Sequence, residues 1–132
     1  MTMNVNAREY VAGQLWSCKS RPGDENSLIL IDLVESAPDK SAIYHVSVFG
    51  VLLPTHKGGP RREADLPHFP VSKETLDKSL LEIVGERSPN ESYKAGYKIW
   101  RNAFDKGEAG IFTISIAEIV SIIENQIPAN PE

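Results

Sequence analysis

The pattern of apolar and polar positions changes period near the middle of the chain. The first half alternates as strands do. Gly13 to Lys19 (GQLWSCK) is a short run suited to a pleated surface, and Ser20 to Asn26 follows with a Pro22-Gly23 pair that fits a type II turn. Ser27 to Glu35 (SLILIDLVE) opens almost continuously apolar, which predicts a central strand covered on both faces. After a turn at Ala37 to Ser41, Ala42 to Leu53 reads as a third strand. Tyr44, Val46 and Val48 lie on one face of it, and Ile43, His45, Ser47 and Phe49 on the other. Short connections favour an antiparallel meander.

The stretch from Leu53 to Val71 breaks the pattern. It holds Pro54, Gly58, Gly59, Pro60, Pro67 and Pro70, so a long irregular loop is expected there. Loops longer than about 12–15 residues are uncommon in compact domains and tend to be functional or disordered.

Helical spacing takes over after Ser72, an N-cap for a helix from Lys73 to Val84. Leu76, Leu80, Ile83 and Val84 share its inner face, and Gly85 is its stop. A second helix is expected from about Asn90 to Lys106, ended by Gly107, with Tyr93, Tyr97, Trp100 and Phe104 in one stripe. Gly110 to Ile114 reads as a short fourth strand. Ser115 and Glu118 form a capping box for a last helix reaching about Gln126, with Ile116, Ile119, Val120 and Ile123 facing inward. The order is a three-stranded antiparallel β-meander, a long loop, then α-α-β-α packed on the sheet. That grouping defines an α+β fold. Residues 1–132 are expected to form one domain, with flexible tails at 1–9 and 128–132.

Composition narrows the function classes. The chain has 132 residues, 41% of them hydrophobic and 24% charged, which is ordinary for a globular protein. Its formal charge is −4, and neither half carries the basic excess of a dedicated duplex-DNA binder. Cys18 is the only cysteine, so no intrachain disulfide can form. The N-terminus has no apolar stretch of signal-peptide type. The longest apolar run, Leu28 to Ile31, is too short to cross a bilayer. A cytoplasmic protein without membrane contact is expected.

The chain contains no Walker A loop, GxGxxG, HExxH, GxSxG or paired-cysteine pattern. The best binding candidate is the basic, glycine-rich segment of His56, Lys57, Gly58, Gly59, Arg61 and Arg62. Its backbone N–H groups and cationic side chains could receive phosphate or carboxylate; a solvated loop is the plainer reading. A secondary candidate is Lys94, Lys98 and Arg101, at helical spacing beside the aromatic stripe, where a solvated helix face is again the plainer reading. Glu63, Asp65 and His68 match no established metal spacing, so neither a metal nor a cofactor is expected. His45 reads as a satisfied structural histidine and His68 as packing a turn. Cys18, on the same strand face as Trp16, reads as a buried, inert thiol. The aromatic stripe reads as core before it reads as a groove for a partner or for bases.

Two stretches, GQLWSCKSRPGDE (Gly13 to Glu25) and AGIFTI (Ala109 to Ile114), resemble the opening and closing motifs of a family of small uncharacterised bacterial proteins. The similarity extends through LPHFPVSKETL (Leu66 to Leu76). The resemblance implies a bacterial, cytosolic origin and no particular activity. Gly13 and Trp16 also look like the first strand of the SH3-like barrels of PemK- and MazF-type toxins. That likeness covers a few residues, and the helical second half departs from it.

Small size, mild acidity and the absence of catalytic motifs point to a non-enzymatic, protein-binding module of immunity or antitoxin-like kind, because acidic inhibitors are steered onto basic partners. One alternative is a nucleotide- or RNA-binding module using the 56–62 segment. Another is a scattered-site enzyme built on Cys18, His45, His56 or His68.

Overall fold

The computed structural model describes residues 9–89 and 91–129. Its elements are β1 (Gln14–Cys18), β2 (Leu28–Ser36), β3 (Ala42–Pro54), β4 (Arg61–Val71), α1 (Lys73–Ser79), β5 (Leu80–Glu86), α2 (Tyr93–Asp105) and α3 (Ile116–Asn125). The strands form one sheet in the order β4-β3-β2-β1-β5, and every neighbouring pair is antiparallel. The α+β class and the β1–β2–β3 meander follow the sequence pattern. The helix and strand boundaries after residue 53 do not.

Alternation along the strands divides the sheet into two faces. Trp16, Cys18, Ile29, Ile31, Tyr44, Val46, Val48, Phe69 and Val71 join Leu76 of α1 and Ile116, Ile119 and Val120 of α3 in one buried cluster. His45 and Ser47 point to the opposite face, where α2 lies across β3 and β4. Ile29, Leu30 and Ile31 are fully buried, as expected of a strand covered on both sides. The alternation of β3 slips by one residue between Val48 and Val51, where the register with β4 shifts. Gly50 takes φ 77° there, which a glycine bulge allows, so Val51 and Leu53 return to the core face.

The expected 53–71 loop is instead a hairpin. Only residues 55–60 turn, and 61–71 form β4. Pro67 and Pro70 are tolerated because β4 is an edge strand, whose outward side needs no ladder donor. His68 therefore stands within a strand rather than packing a turn. The expected helix 73–84 stops at Ser79. Ser72 caps it, accepting from Thr75 N at 3.2 Å, but Leu80 is already extended and pairs with Cys18. Residues 80–86 join the sheet as β5, since Ile83 and Val84 suit a pleated strand and β1 offers a free edge. The expected strand 110–114 shrinks to one parallel bridge between Phe112 and Val71. Thr75 Oγ1 holds that segment by donating toward the carbonyls of Phe112 (3.0 Å) and Ile114 (2.7 Å).

The capping box of α3 is present, with Ser115 Oγ accepting from Glu118 N at 3.2 Å and Glu118 Oε1 accepting from Ser115 N at 3.2 Å. α2 starts at Tyr93; Asn90, where its start is expected, lies outside the described residues. So do residues 1–8 and 130–132 of the expected tails. Within the described parts of those tails, the Glu9 carbonyl accepts from Gln14 Nε2 at 3.2 Å and the Pro128 carbonyl from Lys57 N at 2.9 Å. No helix among the described residues is long and apolar enough to cross a membrane.

Candidate functional site

The basic segment 56–62 sits at the tip of the β3–β4 hairpin and runs into β4. Its backbone donors are partly committed, with Gly59 N donating to the His56 carbonyl and Lys57 N to the Pro128 carbonyl, both at 2.9 Å. Arg61 is committed too. Its Nη1 and Nη2 meet Glu124 Oε2 and Oε1 at 2.9 and 2.6 Å, and Nη2 also donates to the Leu52 carbonyl at 2.9 Å. Arg21 adds a bond to Glu124 Oε1 at 2.9 Å and reaches Asp24 Oδ2 at 2.8 Å. Hydrogen bonds from the two guanidinium groups, Arg61 foremost, bring the Glu124 carboxyl down to about 2. Arg61 therefore clamps the hairpin onto α3 instead of facing a ligand. Lys57 and Arg62 are exposed, and their side chains make no ion pair among the described residues.

The second candidate group is also dispersed. Lys94 pairs with Glu91 at 2.8 Å on the solvent side, and Lys98 is exposed. Arg101 turns to the sheet and meets Glu35 Oε1 at 2.9 Å, with Asp105 at 3.2 Å behind it. It closes a polar line under α2 that the sequence does not announce. Tyr97 OH donates to the same Glu35 oxygen at 3.3 Å, and Glu35 Oε2 lies 2.6 Å from His45 Nε2. His45 Nδ1 meets His68 Nε2 at 3.0 Å.

The network assigns the tautomers. Glu35 can only accept, so His45 carries its hydrogen on Nε2, and Nδ1 must accept from His68 Nε2–H. The two rings are 13° from coplanar with centroids 5.2 Å apart, the geometry of an end-to-end hydrogen bond rather than a face-to-face stack. The edges of Tyr97 and Trp100 cover His45, each at 4.9 Å. Burial holds His45 below the ordinary histidine value against the opposing pull of Glu35. Burial, with His45 beside it, brings His68 to about 4. Both imidazoles are neutral at pH 7. The arrangement seats α2 on the sheet and leaves His45 no free nitrogen for proton transfer.

Glu63, Asp65 and His68 do not converge. Asp65 Oδ1 accepts from Gly50 N at 3.1 Å while His68 faces His45, and no group of three or more metal-ligating side chains is placed to hold an ion among the described residues. Cys18 is buried beside Ser27 Oγ at 3.4 Å, and burial raises its thiol above the usual value.

The third place is the sheet edge formed by β5, which pairs on one side with β1 and ends the sheet among the described residues. Leu81, Ile83 and Val84 are 45%, 51% and 52% exposed. The other edge is guarded, because β4 presents Arg61, Arg62, Glu63, Asp65 and Pro67 to solvent. Charges, proline and β-bulges are the usual means of blocking unwanted strand addition, and β5 carries Glu82, Glu86 and two register shifts against β1 beside its exposed aliphatics. Sequence reasoning missed this surface because Leu76, Leu80, Ile83 and Val84 also fit a helical face. The available signal was the β-branched pair Ile83-Val84 directly before Gly85.

Family models, curated proteins and solved structures were each compared with the chain, and none matches it.

Proposed function

We propose that this protein is a non-enzymatic module that docks another protein, of immunity or antitoxin-like kind, in the bacterial cytosol, and that the β5 edge is its contact surface. The observation that carries this reading is the run of exposed Leu81, Ile83 and Val84 on the last strand of the sheet. Exposed aliphatics grouped on one element favour contact with another protein. A free, buried Cys18 suits a reducing compartment. The nucleotide- or RNA-binding alternative loses support with Arg61, since it keeps only Lys57 and Arg62 as available cations of the segment.

The test is affinity capture of the tagged protein at low and moderate salt, comparing wild type, Ile83→Lys and a Lys57→Glu/Arg62→Glu double variant. A stoichiometric protein partner should survive the hairpin substitutions and be lost with Ile83→Lys, while all three proteins unfold at the same urea midpoint. A partner lost only with the hairpin variant overturns the surface. Recovery of nucleic acid that rising salt releases, in place of a protein, overturns the function.

A further inference from the structure

We infer that α2 is a proton-controlled cover. It lies on the sheet while the His45–His68 pair is neutral, and in acid it lifts off as a unit from a domain that stays folded. The way the helix is held points to this. α2 adds no residue to the main hydrophobic cluster, which fills the other face of the sheet, and Trp100 is its only buried residue. Among the described residues its two hydrogen bonds to the sheet, from Tyr97 OH and Arg101 Nη1, both end on Glu35 Oε1. The other Glu35 oxygen meets His45, and His45 meets His68. The helix is therefore seated on a polar line rather than on the core. Trp100 Nε1 donates to the Gly110 carbonyl at 2.8 Å, so the helix and the turn after it stay together when that seat is lost.

The line accepts only one arrangement of hydrogens under the helix. A single added proton leaves the bond between the rings intact but sets a cation beneath the edges of Tyr97 and Trp100, against fully buried His45. A proton added to each ring turns two N–H groups on one another where they stand 3.0 Å apart. His68 Nδ1 is the way in. No described group bonds to it, and no buried side-chain nitrogen or oxygen among the described residues lacks a partner, so this atom reaches solvent. Gly96 keeps the approach open, since a Cβ there would lie 3.3 Å from that nitrogen.

The surrounding charges do not cancel the effect. Glu35 of β2 favours a cation at His45, Arg101 of α2 opposes it, and burial outweighs both in holding His45 low. Asp105 stands behind Arg101, Asp32 of β2 accepts from Ser47, and Asp65 of β4 accepts from Gly50 N. Tyr97 keeps its proton, because burial raises its phenol. His68 sits at about 4 under the helix against an ordinary 6.5. The released state therefore binds more protons, so docking is complete above about pH 6.5 and is lost as pH falls toward 4. Release bares Tyr97, Trp100 and Phe104 together with both histidines, a surface shown only in acid.

The test is an NMR titration of the full chain from about pH 7.5 to about 4, following backbone amides, the tryptophan indoles and the histidine ring nitrogens. The α2 amides and the Trp100 indole should leave their native positions in one step, while Trp16, α1 and α3 keep theirs. The docked-to-released ratio should fall about a hundredfold per pH unit, because both histidines take up a proton in that step. His68→Gln keeps a donor toward His45 and carries no charge. It should lower the midpoint and reduce the fall to about tenfold per unit.

Loss of α1, α2 and α3 signals at one pH overturns the inference, since the whole chain is then unfolding. So does an α2 that stays seated through pH 4, or a midpoint that His68→Gln leaves in place. Should His68→Gln already disturb the spectrum at neutral pH, the wild-type proton count decides alone. Release with uptake at both rings supports the inference, and release while either ring stays neutral overturns it.

Discussion

His45 of β3 and His68 of β4 meet end to end across the sheet, Nδ1 to Nε2 at 3.0 Å, with one hydrogen shared between two neutral rings. Their partners lie on two further elements, Glu35 on β2 and Arg101 and Tyr97 on α2. Four elements of the fold thus converge on one hydrogen-bonded line.

Acid should loosen that line. His68 sits at about 4 in the folded protein against an ordinary value of 6.5, and His45 is lowered as well. Between those values the unfolded chain binds more protons, so stability is full above about pH 6.5 and falls as pH drops toward 4. A loss on the order of 1–2 kcal/mol is expected, allowing for partial solvent access to His68. His68→Gln can still donate to His45 and should flatten this slope in urea unfolding at pH 7 and pH 5. An unchanged slope would remove the pair as its source.

The approach of α2 to β4 predicts an unusual glycine effect. A Cβ on Gly96 would lie 3.0 Å from His68 Cβ and 3.3 Å from its Nδ1. Alanine in a helix interior normally gains about 1 kcal/mol over glycine. His68 cannot retreat without stretching its bond to His45, so Gly96→Ala should destabilise the protein despite its helix propensity. A higher urea midpoint for Gly96→Ala would contradict this close seat.

Neighbouring arginines should behave differently. Arg61 shares Glu124 with Arg21 and also holds the Leu52 carbonyl, while Arg62 is exposed. Arg61→Ala is expected to lower the urea midpoint, and Arg62→Ala to leave it close to that of the wild type. Glu124 is depressed to about 2 from 4.5, so its contribution is present above pH 4.5 and is lost as pH falls toward 2. Glu124→Gln should remove that acid step. Equal losses for the two arginine variants would deny Arg61 its clamping role.

Cys18 should be silent toward thiol reagents in the folded protein. Burial raises its pKa, and Asp24 adds to this against the opposing bond from Ser27. Modification should begin only where urea unfolds the chain, because the thiolate is the reactive form. Rapid labelling of folded protein by a chromogenic disulfide would show that the β1–α3 packing opens locally.

Where neighbouring residues carried the whole signal, sequence and structure agree. Ser115 and Glu118 cap α3 through bonds three residues apart, and the strict alternation of Tyr44, Val46 and Val48 sets the two faces of β3. The prolines of β4 look like breakers in the sequence, since their meaning depends on whether the strand has a neighbour on that side. The basic segment looked like a site because Glu124, which neutralises Arg61, lies 63 residues away in the chain. Strand β5 is hidden in the sequence by ambiguity of period. Leu76, Leu80, Ile83 and Val84 satisfy a helix stripe, and only the open side of β1 turns the last residues into a strand.

The sequence by itself determined the α+β class, the first three strands, the caps of α1 and α3 and the burial of Cys18. These rest on local hydrogen bonds and on side-chain periodicity, which act within a few residues. The tertiary structure alone decided that 80–86 is a strand, that Arg61 is a clamp and that His45, His68, Glu35 and Arg101 form one line. Each of those outcomes depends on which distant group stands at hydrogen-bonding distance, and that follows from strand order and register rather than from the residues themselves.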